Sequence, residues 1–284
     1  MTFRIAVVQP ICHPVGEDAA NVADAVRHVE RAAGDGSSFV CFPETYPGPW
    51  RMPATFDPTA AMAEAAARHK VHVVFGTIEP IDAKAATAHN LICLAYPDGR
   101  TVAYRRTHPN GPWIYTGGTA WEFQYVPGDD FPVFDTVHGK VGLAMCSEVY
   151  VPEVARALAL RGAELIFMPA GKDKRRLWAT WRALIWARAI ENLAIVVTTQ
   201  NLFNHEERGL AMVAAPEEIL FESTLAGSTV VEVSLERLRY LRATRDVVGS
   251  SEGCAVKQGL LGPQWQRPEL YDAFYPRPLR EAAE

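Results

Sequence analysis

The sequence predicts a layered α/β domain. Apolar runs of strand length alternate with amphipathic stretches of helix length, which is typical of sheets covered by helices. A composition of 49% hydrophobic and 21% charged residues allows a sizeable core and excludes a disordered chain. The length of 284 residues exceeds one average domain and falls short of two. Length alone therefore leaves open one large domain or a pair of halves.

Eight segments predict strands, because each is an apolar run of strand length. In chain order they are residues 5–8, 39–42, 71–77, 90–96, 141–145, 165–168, 194–199 and 229–233. Four segments predict helices, because their apolar residues recur at steps of three and four. They are residues 18–33, 59–69, 154–162 and 177–192.

A weak internal repeat favours one core over two separate halves. The order strand, helix, glycine, strand, proline, helix, strand occurs twice, with Gly36 and Pro43 in the first half and Gly162 and Pro169 in the second. Two similar layers that face each other would explain a single core. The alternative is that the repeat is a coincidence, because strand–helix–strand patterns are common. We predict a single domain over residues 1–284. Residues 249–284 lose the periodicity and form a C-terminal arm that docks on a second subunit or on its own domain.

Charge and cysteine content exclude several classes of protein. The 28 basic and 33 acidic residues give a net charge of −5, which offers no footprint for nucleic acid. Five scattered cysteines without a CxxC pair or a zinc-ligand spacing predict reduced thiols and no metal site. The chain begins in a strand-like run, and no stretch approaches about 18 uncharged apolar residues. We expect a cytoplasmic protein without a membrane or nucleic-acid partner.

Three polar side chains follow predicted strands, where ligands and catalytic groups gather in α/β layers. Glu44 follows the strand 39–42, Cys146 follows the strand 141–145, and Glu148 comes two residues later. A carboxylate beside a thiol can take its proton, and the thiolate is the nucleophile. A helix that begins near Pro152 would also favour the thiolate. The remaining four cysteines are interpreted as small buried hydrophobes.

A series of short motifs resembles the nitrilase, or carbon-nitrogen hydrolase, superfamily over nearly the whole chain. The motifs are RIAVVQ at residues 4–9, FPE at 42–44, YRRTH at 104–108, PGD at 127–129, GKVGLAMC at 139–146, VPE at 151–153 and ARAIEN at 187–192. Each motif alone is weak. Their order and spacing together are specific.

The resemblance implies a four-layer αββα sandwich, with two facing mixed sheets and helices outside. It also implies a Glu-Lys-Cys triad that cleaves non-peptide C–N bonds. By position, Glu44 is the general base and acid, and Cys146 is the nucleophile. Glu122 matches an additional glutamate that many members place near the substrate, and its alternative is a surface carboxylate in a long loop.

The third triad position departs from the family, because Arg106 stands where the family has lysine. Lysine offers a compact ammonium, whereas arginine is longer, planar and permanently charged, and it binds carboxylates in a fork. Three outcomes follow. Arg106 still stabilises the oxyanion with a backbone N–H such as that of Ser147, or it binds an anionic group of the substrate, or the site has lost hydrolysis and serves only for binding.

Further residues are predicted to contact the substrate. They are Ser147, Glu148, Trp50, Trp113, Lys172 and Arg175. The aromatic side chains would wall a pocket and exclude water, although loop packing explains them equally well. The basic residues would hold a substrate carboxylate, as in members that act on carbamoylated amino acids, or else form a solvated cluster at the start of a helix.

The leading hypothesis is a cofactor-free, thiol-dependent hydrolase of a small amide or carbamoyl compound, which passes through a thioester and releases ammonia or an amine. The alternatives are a nitrilase that converts a nitrile to acid and ammonia, and a non-catalytic binding protein. The resemblance further implies a homodimer or a higher even-numbered oligomer, with a contact through the helices 154–162 and 177–192.

Overall fold

The computed structural model describes residues 2–14, 16–49, 51–108, 113–114, 123–171, 177–243 and 253–271. Its strands are β1 (Thr2–Gln9), β2 (Phe39–Cys41), β3 (His72–Asp82), β4 (Thr87–Ala95), β5 (Thr101–Arg105), β6 (Trp113–Ile114), β7 (Phe123–Tyr125), β8 (Val133–Thr136), β9 (Gly139–Leu143), β10 (Leu165–Phe167), β11 (Ile195–Thr198), β12 (Ala211–Ala214), β13 (Ile219–Ser223) and β14 (Gly227–Ser234). Its α-helices are α1 (Ala20–Gly34), α2 (Thr59–His69), α3 (Pro152–Leu160), α4 (Trp178–Asn192) and α5 (Glu236–Ala243). Within these ranges no helix is long and apolar enough to cross a membrane.

The strands form two mixed sheets. The first has the order β14-β1-β2-β3-β4-β7-β6, with β5 also paired to β4, and the second has the order β13-β12-β11-β10-β9-β8. In the first sheet β1, β2 and β3 are parallel and β4 adds antiparallel to β3. In the second sheet β9, β10 and β11 are parallel and β12 adds antiparallel to β11. The internal repeat predicted from the sequence is therefore present in the topology.

Three apolar clusters stack these elements into layers. The inner faces of the two sheets meet in the central cluster, where the rings of Phe39 and Phe167 lie 5.6 Å apart across the sheets. On the outer face of the first sheet, α1 and α2 pack through residues such as Val29 and Met62. On the outer face of the second sheet, α3 and α4 pack through residues such as Trp181. The predicted four-layer αββα sandwich is confirmed.

Two of the elements that were not predicted from the sequence, β5 and α5, have mixed polarity. The strand β5 has only one fully buried residue, Tyr104, which lies between two exposed residues. The helix α5 is rich in charge and buries only Leu238 and Leu241. Prediction from apolar runs finds elements buried on both faces and passes over such edge elements. The helix predicted over residues 59–69 has those bounds in the structure.

Residues 253–271, the described part of the predicted C-terminal arm, contact their own chain. Arg237 Nη2 donates to the Gly253 carbonyl at 2.8 Å, and the Gly259 N–H donates to the Leu241 carbonyl at 2.9 Å. The same segment and α3 line a cleft of about 610 Å³ that includes Arg156 and Trp265. This part of the arm therefore packs on α5 and borders α3.

Candidate active site

Glu44 and Cys146 follow strands of different sheets and are held by neighbouring carbonyl groups. Glu44 lies beyond the end of β2, and Cys146 lies beyond the end of β9. The Cys146 N–H donates to the Pro169 carbonyl at 2.8 Å, and the Glu44 N–H donates to the Ala170 carbonyl at 3.3 Å. The segment that follows β10 therefore fixes both backbones, and the site lies where the carboxyl ends of the two sheets meet.

The backbone of Glu44 packs directly on Gly76 of β3. The Gly76 N–H donates to the Tyr46 carbonyl at 2.9 Å. A Cβ atom at Gly76 would lie 1.5 Å from the Glu44 carbonyl oxygen, so the approach is open only to glycine. The Glu44 side chain is 2% exposed. A buried carboxylate requires hydrogen-bond or charged partners. For Glu44 these partners come from the first sheet and from the loop after β5.

The Glu44 carboxylate is paired with Arg106 and Asn90. Its Oε1 atom accepts from Arg106 Nη1 at 3.0 Å and from Asn90 Nδ2 at 2.9 Å. The same two nitrogens donate to the Tyr125 hydroxyl, at 3.2 Å from Nη1 and 3.0 Å from Nδ2. The Arg106 side chain is also 2% exposed. The four groups form a buried cluster that holds the charge pair at its centre.

The other edge of the Arg106 guanidinium reaches the residue next to Cys146. Nη2 donates to Ser147 Oγ at 2.5 Å, and Nε donates to the His108 carbonyl at 3.1 Å. Burial alone would lower the pKa of Arg106, but the surrounding groups, with the Glu44 carboxylate first among them, together more than offset this, and the pKa lies above its usual value. Arg106 is therefore a fixed cation between Glu44 and the chain at Cys146.

The loop that carries Arg106 is tied to the strand end at Cys146 by Glu148, which has no exposed surface. Its Oε1 atom accepts from the Tyr104 hydroxyl at 2.6 Å, from the N–H and Oγ1 of Thr107 at 3.0 Å each, and from the His108 N–H at 3.1 Å. Its Oε2 atom accepts from the Met145 N–H at 2.9 Å. The predicted substrate contact does not fit this placement, because the chain's own donors surround a fully buried carboxylate.

Cys146 differs from the buried cysteines in exposure and backbone conformation. It opens the 3₁₀ turn Cys146–Tyr150 with φ of 49°, a left-handed conformation that is unfavourable for a side chain with a Cβ atom. Its side chain is partly exposed, whereas Cys12, Cys41 and Cys93 are buried, and burial raises the pKa of each of those three thiols. Of these four cysteines, only Cys146 is partly exposed.

Comparison with known proteins shows which family this chain belongs to. A family profile described as carbon-nitrogen hydrolase matches residues 4–241. The chain belongs to the carbon-nitrogen hydrolase family. Deaminated glutathione amidase of Synechocystis is 28% identical over 247 residues, which cover 78% of this chain and 89% of that protein. N-carbamoylputrescine amidase of Arabidopsis thaliana is 30% identical over 222 residues, which cover 70% of this chain and 72% of that protein.

Solved structures share the fold of this carbon-nitrogen hydrolase. An amidase from Nesterenkonia sp. AN1 superposes with a TM-score of 0.74 at 20% identity and covers 96% of this chain and 97% of its own. Another structure of that amidase, with a TM-score of 0.70, carries the acetamide moiety of fluoroacetamide covalently at its active-site cysteine. Together with the family match, the relatives identify this chain as an amidase-like hydrolase of C–N bonds other than peptide bonds.

Several predicted site residues of this carbon-nitrogen hydrolase lie outside the described residues. They are Trp50, Glu122, Lys172, Arg175 and the side chain of Trp113. The catalytic role of Glu122 and the substrate contacts of the other four residues stay predictions. Within the described part of the chain, no group of three or more His, Cys, Asp or Glu side chains is placed to hold a metal ion.

Two residues of the cluster around Glu44 were not predicted from the sequence. Asn90 lies in β4, directly before the apolar residues 91–95, and is 1% exposed although it is polar. Tyr125 ends β7, two residues before the Pro127-Gly128 motif, and is 5% exposed. The sequence signal for Asn90 was a polar residue among buried ones. For Tyr125 no such signal existed, because a tyrosine in a short strand is common.

Proposed function

We propose that this carbon-nitrogen hydrolase cleaves a small non-peptide amide or carbamoyl C–N bond through a thioester at Cys146. The observation that carries the proposal is the double engagement of Arg106, which pairs with Glu44 at one edge and with Ser147 beside Cys146 at the other. A base, a cation and a partly exposed thiol are thereby associated at one junction of the two sheets. This set of groups suits nucleophilic acyl transfer.

In the first half of the reaction, Glu44 accepts the thiol proton while the Cys146 sulfur bonds to the carbonyl carbon. The carbonyl electron pair moves to oxygen, and Arg106 together with the Ser147 backbone N–H stabilises the resulting oxyanion. The C–N bond then breaks, and Glu44 returns its proton to the departing nitrogen. Ammonia or an amine leaves, and the acyl group remains on sulfur as a thioester.

In the second half, water replaces the amine. Glu44 accepts a proton from water as the water oxygen bonds to the thioester carbon. The C–S bond breaks, the carboxylic acid leaves, and the Cys146 sulfur regains a proton from Glu44. Each step uses groups of the chain and water, and the Arg106 pair keeps Glu44 in the carboxylate form that starts each half-reaction.

Glu148 acts in this scheme through position rather than through substrate contact. Its five hydrogen bonds fix the segment Thr107-His108 against the end of β9. That segment follows Arg106, and β9 leads to Cys146. We therefore assign Glu148 as the residue that sets the distance between the cation and the thiol.

The substrate class is supported by the names of the relatives. The curated relatives reported above are a deaminated glutathione amidase and an N-carbamoylputrescine amidase. The Nesterenkonia enzyme is an amidase as well. These activities favour an amide or carbamoyl substrate over a nitrile, because they share the tetrahedral oxyanion that Arg106 is placed to stabilise.

The test is intact-protein mass spectrometry after brief incubation with a pool of small amides, carbamoyl acids and nitriles, combined with an ammonia assay. An acyl adduct that is absent from the Cys146→Ala variant is the expected result, and its mass names the acyl group. Faster ammonia release from a nitrile than from the matched amide would favour a nitrilase. No adduct and no ammonia from any member of the pool would overturn the proposal in favour of a binding protein.

A further inference from the structure

We propose that Tyr125 is a positioning residue whose hydroxyl adapts this site to arginine in place of lysine. The inference rests on the proposed roles of Glu44, Arg106 and Cys146. It concerns the four-group cluster of Glu44, Asn90, Arg106 and Tyr125, and it explains how a larger cation operates in a buried catalytic position.

The cluster has two nitrogen donors and two oxygen acceptors, and each donor serves both acceptors. Arg106 Nη1 lies 3.0 Å from Glu44 Oε1 and 3.2 Å from the Tyr125 hydroxyl. Asn90 Nδ2 lies 2.9 Å from the same Glu44 oxygen and 3.0 Å from the same hydroxyl. The Tyr125 oxygen therefore shares both of its nitrogen donors with the Glu44 oxygen.

The number of N–H groups explains why a second acceptor is needed. A guanidinium presents five N–H donors and an ammonium presents three. Four donations of Arg106 reach acceptors in the described residues, at Glu44, Tyr125, Ser147 and the His108 carbonyl. Without the Tyr125 hydroxyl, one donor of Arg106 and one of Asn90 would lose an acceptor in a buried place, which is unfavourable.

A neutral acceptor suits this place better than a second carboxylate. Burial, followed by repulsion from the Glu44 carboxylate, raises the pKa of Tyr125 well above its ordinary value, so the hydroxyl keeps its proton. Tyr125 therefore holds Arg106 without neutralising it. Glu44 is the one anionic partner in the cluster, and the positive charge of Arg106 stays available to the thiolate and the oxyanion.

The ring of Tyr125 is itself fixed, so that its hydroxyl has a defined place. Its backbone pairs with Ala88 of β4, two residues before Asn90 in the same strand. Its ring meets Phe123 edge to face, with centroids 5.0 Å apart and an interplanar angle of 86°. The strand pairing brings the hydroxyl to Asn90, and Asn90 aligns it with Glu44.

The test compares the hydroxyl-free variant Tyr125→Phe in two backgrounds, the native chain and Arg106→Lys. With arginine present, we expect Tyr125→Phe to lower kcat by about 10- to 100-fold while KM changes by less than about twofold. With lysine present, the same exchange is expected to change kcat by less than about threefold, because an ammonium has fewer donors to satisfy. Equal losses in the two backgrounds would show a packing role and overturn the inference.

A second readout needs no substrate. The pH dependence of Cys146 alkylation by iodoacetamide is followed by intact mass, with Cys146→Ala as the blank. Tyr125→Phe is expected to move the midpoint of alkylation to higher pH, because a loosened Arg106 stabilises the thiolate less. An unmoved midpoint in the native background would overturn the inference. Failure of the proposed function is a separate result, since it is absence of turnover and of acyl adduct in the native chain.

Matched variants separate the hydroxyl from the fold. Tyr96→Phe removes a hydroxyl that donates to the Asp135 carbonyl at 3.1 Å, outside the cluster, and is expected to leave kcat and the alkylation midpoint unchanged. Tyr125→Leu is a second hydroxyl-free variant, for which the same dependence on the Arg106 background is expected. Thermal unfolding of every variant confirms that the compared proteins are folded.

Discussion

The Glu44 carbonyl oxygen occupies the space in which a side chain on Gly76 would begin. A Cβ atom there would lie 1.5 Å from this oxygen and 2.1 Å from the carbonyl carbon. Both contacts are with backbone, which cannot rotate away. The proposed base is therefore positioned by the lack of a side chain on the neighbouring strand.

Exchange of this glycine for alanine is expected to displace Glu44. Gly76→Ala should lower the free energy of unfolding by about 2 to 4 kcal/mol and lower kcat at least tenfold. Urea unfolding and steady-state kinetics measure both effects. Gly34→Ala is the control, since a Cβ atom at Gly34 meets nothing within 4 Å. A Gly76→Ala enzyme with native kcat would show that Glu44 is not held by this contact.

The five hydrogen bonds of Glu148 predict a sensitive position away from the substrate. Glu148→Gln keeps the shape but replaces an acceptor by an N–H₂ group among donors. We expect a loss of about 2 to 3 kcal/mol in unfolding free energy and a lower kcat with little change in KM, because the Arg106 loop shifts. Glu232→Gln, at an exposed position of β14, is the control. A rise in KM alone would instead support substrate contact by Glu148.

The left-handed backbone of Cys146 predicts an unusual order of stability between two inactive variants. At φ of 49° glycine is unstrained and alanine is not. Cys146→Gly is therefore expected to be more stable than Cys146→Ala by about 1 kcal/mol. The same pair at Cys41, a buried residue of β2, should show the opposite order. Urea unfolding gives both differences, and equal stability of the two Cys146 variants would argue against strain at this position.

A buried histidine far from Glu44 predicts sensitivity to acid. The ring of His72 stacks on Phe39 with centroids 4.6 Å apart and lies 5.9 Å from the ring of His138. Burial lowers the pKa of His72 to about 4, and the carbonyl of Ser38 opposes this in part. The unfolded chain takes up this proton near pH 6.5 and the folded chain only near pH 4, so stability is complete above pH 6.5 and falls as the pH decreases toward 4.

The expected contribution of His72 is a loss of about 2 kcal/mol between pH 7 and pH 5. His72→Phe should flatten the dependence of unfolding free energy on pH by that amount, as measured by urea unfolding at both values. His205→Asn, at an exposed position, should leave the dependence unchanged. If His72→Phe has the same pH dependence as the native chain, the His72 ring takes up a proton as readily in the folded chain as in the unfolded chain.

The sequence was informative where a residue type or an apolar run carries the signal by itself. The alternation of elements and the positions of Glu44 and Cys146 after strands β2 and β9 follow from local patterns. The places of Asn90 and Tyr125 in the cluster do not follow from local patterns, because they depend on the pairing of β4 with β7, which are far apart in sequence. The complete burial of Glu148 was also not evident from the sequence, because a short 3₁₀ turn leaves no periodic pattern that would show its side chain pointing inward.

The two halves of the fold repeat the same strand order, but Glu44 and Cys146 come from positions that are not equivalent in the two halves. By strand register, Glu44 after β2 corresponds to Ala170 after β10, and Cys146 after β9 corresponds to Pro10 after β1. The acid comes from one half and the sulfur from the other, while the equivalent places hold residues without reactive side chains. The proposed active centre thus combines groups from both halves of the pseudosymmetric scaffold, and neither half supplies both Glu44 and Cys146.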